Sequence, residues 1–462
     1  GVARSAPAPT CGAYEFGGSP VEPEAPTLGE VTVTPKATSA TVSGSITSVG
    51  NNGATECDVY LALNGAAATK LGTSAAGPFS YSVSGLTAET EYSYTLSISN
   101  NATTAMGAET SGSFTTTAVP SGLQPSGDTT GATDRQSIQS AIDAAAAESP
   151  AGTVTLGEGT FVIDAQLNVT GGVALVGQGA DKTVIEPLNG GAIRCLFVDG
   201  GATVADGIMI RNGKSAASGG GVSLVSGTVR NCCITNCQVT AMTTFGGGVY
   251  MTGGTVEGCE IVGCNVGALY GRGNAVYMDG GTVTDCDIHH NDGGYSHSTL
   301  GCGEGIVYVL NGTLQNSKIH DNTKDSLPGV YQKNGTIVNC LVCNNRGKNH
   351  SAGIYKDKNA SGTVYHCTVY NCLIDGDTDG NSGLHQESGT TKNCIVWNCQ
   401  PSGSTAGGVK VSGGTFEYNV VDVVPSGYTD NVSGDPLFTN AENADFTISS
   451  ADSPACGYGT PI

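Results

Sequence analysis

The chain has 462 residues, including 70 glycines, 17 cysteines and one tryptophan. Lys and Arg number 19 against 40 Asp and Glu, which gives a net charge of −21. So acidic a chain argues against nucleic acid and anionic membrane as partners. No apolar run approaches the roughly 18 residues of a membrane span. The composition favours short strands joined by tight turns.

Two short segments precede the first predicted domain. Residues 18–27 are rich in Gly, Pro and Glu and predict a linker after residues 1–17. From residue 28 to 117, runs such as VTVTP, CDVYLAL and YSYTLSIS alternate polar and apolar residues. This alternation predicts the strands of a β-sandwich.

The run from Gly85 through Thr90 to Tyr92, Tyr94 and Leu96 resembles the tyrosine corner of fibronectin type III domains. The resemblance implies that Tyr92 holds the corner. No aromatic residue in this segment matches the core Trp of the family, so a related immunoglobulin-like sandwich stays open. Such domains usually act as spacers or binders.

A second linker over 118–127 and a helix over 133–148 are predicted next. Thr133 is the expected N-cap, and Ile138 and Ile142 lie on the apolar face. The stretch TDRQSIQSAIDAAAAESPAGTVTLGEGTFVI, followed by VALVGQG, resembles the entry to the pectate-lyase-like superfamily. There an amphipathic helix covers the open end of a right-handed parallel β-helix. The resemblance implies an all-β solenoid over residues 128–462.

A repeating Gly-Thr step supports this fold. The threonines are spaced by 27, 27, 31, 23, 27, 27 and 25 residues: Thr228, Thr255, Thr282, Thr313, Thr336, Thr363, Thr390 and Thr415. A period in the twenties built from short strands and Gly turns predicts a β-solenoid. Its coils would stack about 4.8 Å apart.

Small residues recur at fixed offsets after each threonine. Four residues after it stand mostly cysteines, and nine after it stand cysteines or asparagines such as Asn291, Asn322 and Asn345. We expect the cysteines to fill narrow corners as small buried groups and the asparagines to form hydrogen-bonded columns.

A column of tyrosines precedes most steps. Its members are Tyr250, Tyr277, Tyr308, Tyr331 and Tyr355, each after an inward-pointing Val or Ile. The column is therefore expected on the solvent-facing side of one sheet. Two interpretations stay open, glycan binding and simple stacking that stabilises the sheet.

Two polar segments are candidate metal sites. Asp375, Asp377 and Asp379 followed by Gly380 match the first half of a calcium loop, but the twelfth position is Gln386. Structural Ca²⁺ and a plain acidic turn are the alternatives. The histidine-rich segment His289, His290, Asn291, Asp292 and His297 is interpreted as a solvated loop rather than a metal site.

The two ends of the chain suggest one divided cap. The ending DPLF, DFTI and SPACGYG resembles the C-terminal cap of secreted β-helix proteins, whose final strand is similar to Cys11-Gly12-Ala13-Tyr14-Glu15-Phe16. We expect this strand to complete the cap of another copy, with a disulfide between Cys11 and Cys456. The expected interface comprises Cys11, Gly12, Ala13, Tyr14, Phe16, Pro454, Cys456 and Tyr458.

Three functions follow, in this order. The first is an extracellular structural or adhesive protein whose copies join head to tail. The second is a polysaccharide lyase or glycoside hydrolase, implied by the resemblance alone. The third is a glycan-binding stalk. No catalytic residue is assigned, and we expect no polysaccharide-degrading activity, because no constellation of acids with a base is recognisable along the sequence.

Overall fold

The structure is a computed structural model that describes residues 24–36, 38–51, 53–101, 107–117, 122–189, 191–267, 271–293, 305–324, 329–347, 351–374, 382–399 and 407–459. The chain divides into two units, Gly1–Val119 and Pro120–Ile462. No helix in the described ranges has the length and apolarity needed to cross a membrane.

The first unit is a sandwich of two antiparallel sheets. One sheet contains Thr27–Leu28, Thr32–Pro35, Ser39–Ser48 and Gly77–Ser84, and the other contains Cys57–Leu63, Thr69–Ser74, Glu91–Asn100 and Gly107–Thr115. Both sheets contribute buried side chains to one core, among them Val42, Ile46, Val59, Leu96 and Ile98. The Tyr92 hydroxyl accepts a hydrogen bond from the backbone N–H of Thr87 at 2.8 Å, which is the contact of a tyrosine corner.

The second unit begins with the helix Ala132–Ala146. Ile138 and Ile142 are buried against the first strands of the solenoid, so the helix covers apolar residues of the first coil. The expected N-cap at Thr133 is wrong: the cap position is Gly131, with φ of 76°. The side chain of Asp128 accepts from the N–H of Thr133 at 3.1 Å instead.

The second predicted linker is shorter than expected. Leu123 pairs with Leu156 of the first coil, and its N–H donates to the Thr155 carbonyl at 2.9 Å. The residues from 122 onward therefore belong to the solenoid.

The solenoid is a right-handed parallel β-helix, and each full coil supplies up to four strands, named A to D here. The A strands are Leu167–Val169, Leu196–Val198, Val222–Leu224, Val249–Met251, Val330–Gln332, Ile354–Lys356, Leu384–Gln386 and Val409–Val411. The B strands are Thr153–Thr155, Ala174–Val176, Val204–Asp206, Thr228–Arg230, Thr255–Glu257, Thr336–Val338, Thr363–Tyr365, Thr390–Lys392 and Thr415–Glu417. Val276–Thr284 and Val307–Gln315 each run through both positions.

The C strands form a twelve-stranded parallel sheet. They are Gly159–Ile163, Thr183–Pro187, Met209–Arg211, Cys233–Thr235, Glu260–Val262, Asp287–His289, Lys318–His320, Leu341–Cys343, Thr368–Tyr370, Ile395–Trp397, Val420–Val421 and Val432–Ser433. The short D strands are Lys214–Ser215, Gln238–Val239, Asn265–Val266, Asp292–Gly293, Thr323–Lys324, Arg346–Gly347 and Leu373–Ile374. A hairpin of Phe438–Asn440 and Asp445–Ile448, joined by the 3₁₀ turn Ala441–Asn443, follows.

The middle residue of each three-residue B and C strand points inward. Val256, Ile261, Ile288 and Ile319 are fully buried examples. Stacking places like side chains on one another along the axis, and each fully buried Val or Ile contributes about 1.5–3 kcal/mol. The first and last residues of the same strands point to the outer surface, because successive side chains alternate between faces.

Two corners of each coil require a left-handed backbone. One lies before the first cysteine column and contains Asn231, Gly258, Asp285, Asn316, Asn339, His366, Asn393 and Tyr418, with φ between 49° and 58°. The other lies after the C strand and contains Asn236, Gly263, His290, Asp321, Asn344, Asn371 and Asn398, with φ between 48° and 66°. Asn, Asp and Gly tolerate this conformation best, which explains their recurrence.

The two columns of small residues lie in the interior, as their repeat positions predict. All fifteen described cysteines are free, and all except Cys456 are buried. Burial raises the pKa of Cys264 and Cys394 well above the usual value, so these thiols are packing groups. The asparagines form the expected column: the Asn322 side-chain amide donates to Asn345 Oδ1 at 3.0 Å and to the Ile288 carbonyl at 3.0 Å.

One interior position carries a lysine. Lys356 is fully buried in register between Gln332 and Gln386. Its ammonium nitrogen donates to the carbonyl oxygens of Gly362, at 3.2 Å, and of Thr390. The two glutamine amides donate to the carbonyls of the equivalent turns. Burial lowers the pKa of Lys356 to about 7.

Replacing Lys356 by Gln should therefore raise the free energy of unfolding near neutral pH, by on the order of a few kcal/mol. Between pH 7 and 10.5 the unfolded chain holds a proton at Lys356 that the folded chain lacks, so wild-type stability rises with pH across this window. Urea unfolding should show the advantage of Lys356→Gln at pH 7 and its decline by pH 10. Parallel pH profiles for the two proteins would contradict this account.

Candidate active site on the C-strand face

The tyrosine column lies outside the solenoid core, as a stack on the outer face of the A strands. Tyr277 and Tyr308 have ring centroids 4.9 Å apart, and Tyr308 and Tyr331 are 4.6 Å apart, with interplanar angles of 8° in both pairs. Tyr250 and Tyr355 extend the stack at 5.6 and 5.3 Å.

The expected exposure of this column is wrong for its centre. Tyr277, Tyr308 and Tyr331 are 5%, 1% and 5% exposed. The guanidinium of Arg272 lies over the Tyr308 ring, 5.2 Å from its centroid. Stacked rings cover each other's faces, so the three buried tyrosines have no free face for a sugar ring. Glycan binding stays a prediction for Tyr250 and Tyr355 alone, which are partly exposed.

Several predicted site residues lie outside the described residues. These are Cys11, Gly12, Ala13, Tyr14 and Phe16 of the cap strand, Asp375, Asp377 and Asp379 of the calcium loop, and His297. The cap strand and structural calcium stay predictions. In the parts of the chain that are described, no group of three or more His, Cys, Asp or Glu side chains is arranged to hold a metal ion.

The C-terminal members of the predicted interface lie near the end of the solenoid. Cys456 is exposed, and its thiol contacts the Ser450 carbonyl at 3.5 Å. The Tyr458 ring lies 6.2 Å from the ring of Tyr418. Pro454 is partly buried.

A cluster of acids and imidazoles spans three neighbouring coils on the outer face of the C strands. In the parallel register, Glu260 pairs with Asp287, and His289 pairs with His320. His290 and Asp321 follow at the left-handed corners, with φ of 48° and 50°. We call Glu260, Asp287, His289, His290, His320 and Asp321 the carboxylate–imidazole cluster.

Hydrogen bonds join the cluster diagonally from coil to coil. Glu260 Oε1 lies 3.0 Å from His289 Nε2, and Asp287 Oδ1 lies 2.7 Å from His320 Nε2. The two imidazole rings stack with centroids 5.1 Å apart. Asp321 Oδ2 lies 2.5 Å from His320 Nδ1. The side chains of His289 and His320 are 17% and 11% exposed, whereas those of Glu260 and Asp287 are 49% and 51% exposed.

The charges in the cluster are coupled. Burial opposes a charge on His320, but hydrogen bonds to Asp287 and Asp321 outweigh it and raise the pKa of His320. The hydrogen bond from His320 in turn lowers the pKa of Asp287. Asp287 is thereby held as a carboxylate.

The coil repeat places the two exposed carboxylates at paired positions on adjacent coils. Glu260 and Asp287 each bond the imidazole one coil further on, so their positions differ by about one coil rise, roughly 5 Å. A substrate can reach both, because both carboxylates face solvent.

This cluster was missed along the sequence because its members are up to 61 residues apart (Glu260 to Asp321). The histidine segment around His289 was interpreted as a solvated loop, yet His289 lies in a strand, and Asn291 turns into the interior. The repeat held the missing signal: Glu260 and Asp287 both stand five residues after their threonine.

A protein-family model matches part of the chain. A profile described as the right handed beta helix region matches residues 194–400, a range that includes the whole carboxylate–imidazole cluster. No curated protein matches the chain.

Several solved structures are distantly similar. The Family 28 exopolygalacturonase of Yersinia enterocolitica is 13% identical, with a TM-score of 0.30 over 89% of this chain and 98% of that chain. The GH87 α-1,3-glucanase of Streptomyces thermodiastaticus strain HF3-3 is 14% identical, with a TM-score of 0.26 over 86% and 90%. These values are too low to carry an argument about activity, which must come from the residues of this chain.

The coupling predicts how His320 titrates. Its pKa, followed by NMR of the imidazole C–H signals, should lie above the usual 6.5, and Asp287→Asn should lower it. Since folding raises this pKa, the contribution to stability is complete below pH 6.5 and is lost as pH rises through the folded value. Asp445→Asn, in the hairpin, is the control and should leave the pKa of His320 unchanged. An unchanged His320 pKa in Asp287→Asn would refute the coupling.

Proposed function

We propose that the chain is a glycoside hydrolase whose active site is the carboxylate–imidazole cluster. The observation that carries the proposal is the pair of solvent-facing carboxylates, Glu260 and Asp287, held one coil apart by hydrogen bonds to His289 and His320. This departs from the expectation that polysaccharide-degrading activity is absent, which was based on finding no recognisable constellation of acids with a base along the sequence.

Each side chain has a role in a two-step hydrolysis. Asp287, kept ionised by His320, attacks the anomeric carbon while Glu260 donates a proton to the departing glycosidic oxygen. The glycosidic C–O bond breaks and an ester to Asp287 forms. Glu260 then takes a proton from water, whose oxygen attacks the anomeric carbon and releases Asp287. His289 and His320 are positioning residues.

The charge of the protein selects the class of substrate. With a net charge of −21, and with three carboxylates in the cluster, the site repels uronate and sulfate groups. A neutral polysaccharide is therefore the substrate, and a lyase acting on uronates is disfavoured. The first unit serves as a fibronectin type III-like spacer, and the protein acts outside the cell, where such polysaccharides occur.

The test is hydrolysis of neutral polysaccharides. Incubation with α-glucans, β-glucans, xylan and mannan should release new reducing ends from at least one of them. Asp287→Asn and Glu260→Gln should each lower that rate by roughly a thousandfold, or about 4 kcal/mol of transition-state stabilisation.

Glu257→Gln is the matched control for these variants. Glu257 lies on the B strand of the same coil as Glu260 and points away from the cluster's face, so its rate should equal that of the wild type. Two results would overturn the proposal: no reducing ends from any neutral polysaccharide, or full activity in Asp287→Asn.

A second role is head-to-tail assembly of copies, in which residues 11–16 of one copy complete the C-terminal cap of the preceding copy. Two observations favour it. Within the described ranges, the last C strand, Val432–Ser433, pairs on one side only, and an unpaired edge is a template for a further strand. The exposed thiol of Cys456 is available to Cys11 of another copy. We also propose that Asp375, Asp377 and Asp379 bind a structural calcium ion.

Removing residues 1–17 should leave a folded monomer, whereas the full chain should sediment as larger assemblies under oxidising conditions. Deleting only residues 1–9 keeps the strand from Cys11 to Phe16 and should preserve assembly. Assemblies of unchanged size after removal of residues 1–17 would contradict this role.

A further inference from the structure

The outward residue at the end of successive C strands forms one continuous stripe. In the parallel register, His289 is followed by His320, Cys343, Tyr370 and Trp397. Trp397 lies three coils beyond His320, or roughly 14 Å along the axis. The stripe thus begins at the carboxylate–imidazole cluster and ends at aromatic rings.

The aromatic end of the stripe is partly exposed. Tyr370 and Trp397 are neither buried nor fully exposed, while the residues before them, Val369 and Val396, point into the core. Tyr and Trp suit a strand as well as Val or Thr does, but their large rings leave more apolar surface in contact with water than Val or Thr would.

The C-terminal hairpin adds two rings to the same face. Phe446 and Phe438 lie 5.2 and 6.0 Å from the Tyr370 ring, edge to face, and 5.2 Å from each other. Both phenylalanines are also partly exposed. Tyr370, Trp397, Phe438 and Phe446 together form an aromatic patch, while the small, buried Cys343 separates it from His320.

We propose that Trp397 and Tyr370 form a remote subsite that binds a pyranose ring of the same polysaccharide chain that is cleaved at Glu260 and Asp287. This proposal rests on the proposed function. A ring face of Trp or Tyr is apolar and matches the C–H face of a sugar, whose hydroxyl groups stay in water. A chain lying along the stripe crosses both sites, since both occupy one column of the sheet.

The sequence contains a single tryptophan, so intrinsic fluorescence excited at the indole band reports on Trp397 directly. Asp287→Asn, which should bind without cleaving, is titrated with the neutral hexasaccharides maltohexaose, cellohexaose, laminarihexaose and xylohexaose. A saturable change of Trp397 emission is expected with at least one of them.

Variants then locate the sugar. Tyr370→Ala, added to the Asp287→Asn protein, should raise the Kd for the hexasaccharide roughly threefold to tenfold. Tyr365→Ala is the matched control, because Tyr365 is a partly exposed tyrosine of the same coil on the B strand, away from the stripe. Emission that no hexasaccharide changes, or equal affinity with and without Tyr370, would overturn the subsite.

Kinetics separate the subsite from the catalytic proposal. In the wild-type background, Trp397→Ala should raise KM for the polysaccharide and leave kcat unchanged, and Trp397→Phe should restore most of the loss. Saturable binding by a protein that never cleaves would refute catalysis and keep the subsite. Cleavage with a wild-type KM in Trp397→Ala would refute the subsite and keep catalysis.

Discussion

Parallel hydrogen bonding between successive coils, which keeps the C strands in one register, is the constraint on which the molecule depends. The C strands pair position by position from Gly159 to Ser433. Coil length nevertheless varies between 23 and 31 residues. The variation falls mainly between a D strand and the next A strand, as in the stretch from Gly293 to Val307. Insertions there leave the register of the C strands unchanged.

Register also stacks the residues at equivalent positions of successive coils into columns along the axis. An Ile at one coil lies on an Ile at the next, and a carboxylate lies on a carboxylate. The second arrangement is unfavourable, because like charges directly opposite each other repel. At Asp287 the hydrogen bond from His320 and the charge of Lys318, its register neighbour on the next coil, offset the repulsion. Stability alone does not require this pairing, and this is the reason for proposing the cluster as a functional site.

The sequence predicts those features that repeat in every coil. It does not predict features that depend on contacts between residues far apart in the sequence. The threonine period, the buried cysteines and the Asn291, Asn322 and Asn345 column follow from small groups at fixed offsets. The exposure of Tyr308 could not be predicted, because its cover comes from neighbouring rings and Arg272. The helix start was misplaced because Asp128, outside the helix, satisfies the N–H of Thr133. The catalytic candidates required alignment of offsets five and seven, which hold Glu260, Asp287, His289 and His320.

The coil rise places the two carboxylates of the proposed hydrolysis, Glu260 and Asp287, about one coil apart. The most direct measurement is the anomeric configuration of the first sugar released from a neutral oligosaccharide, followed by proton NMR before mutarotation. A separation of roughly 5 Å predicts retention of configuration. Release of the inverted anomer would require carboxylates roughly 6.5–9.5 Å apart and would contradict the account.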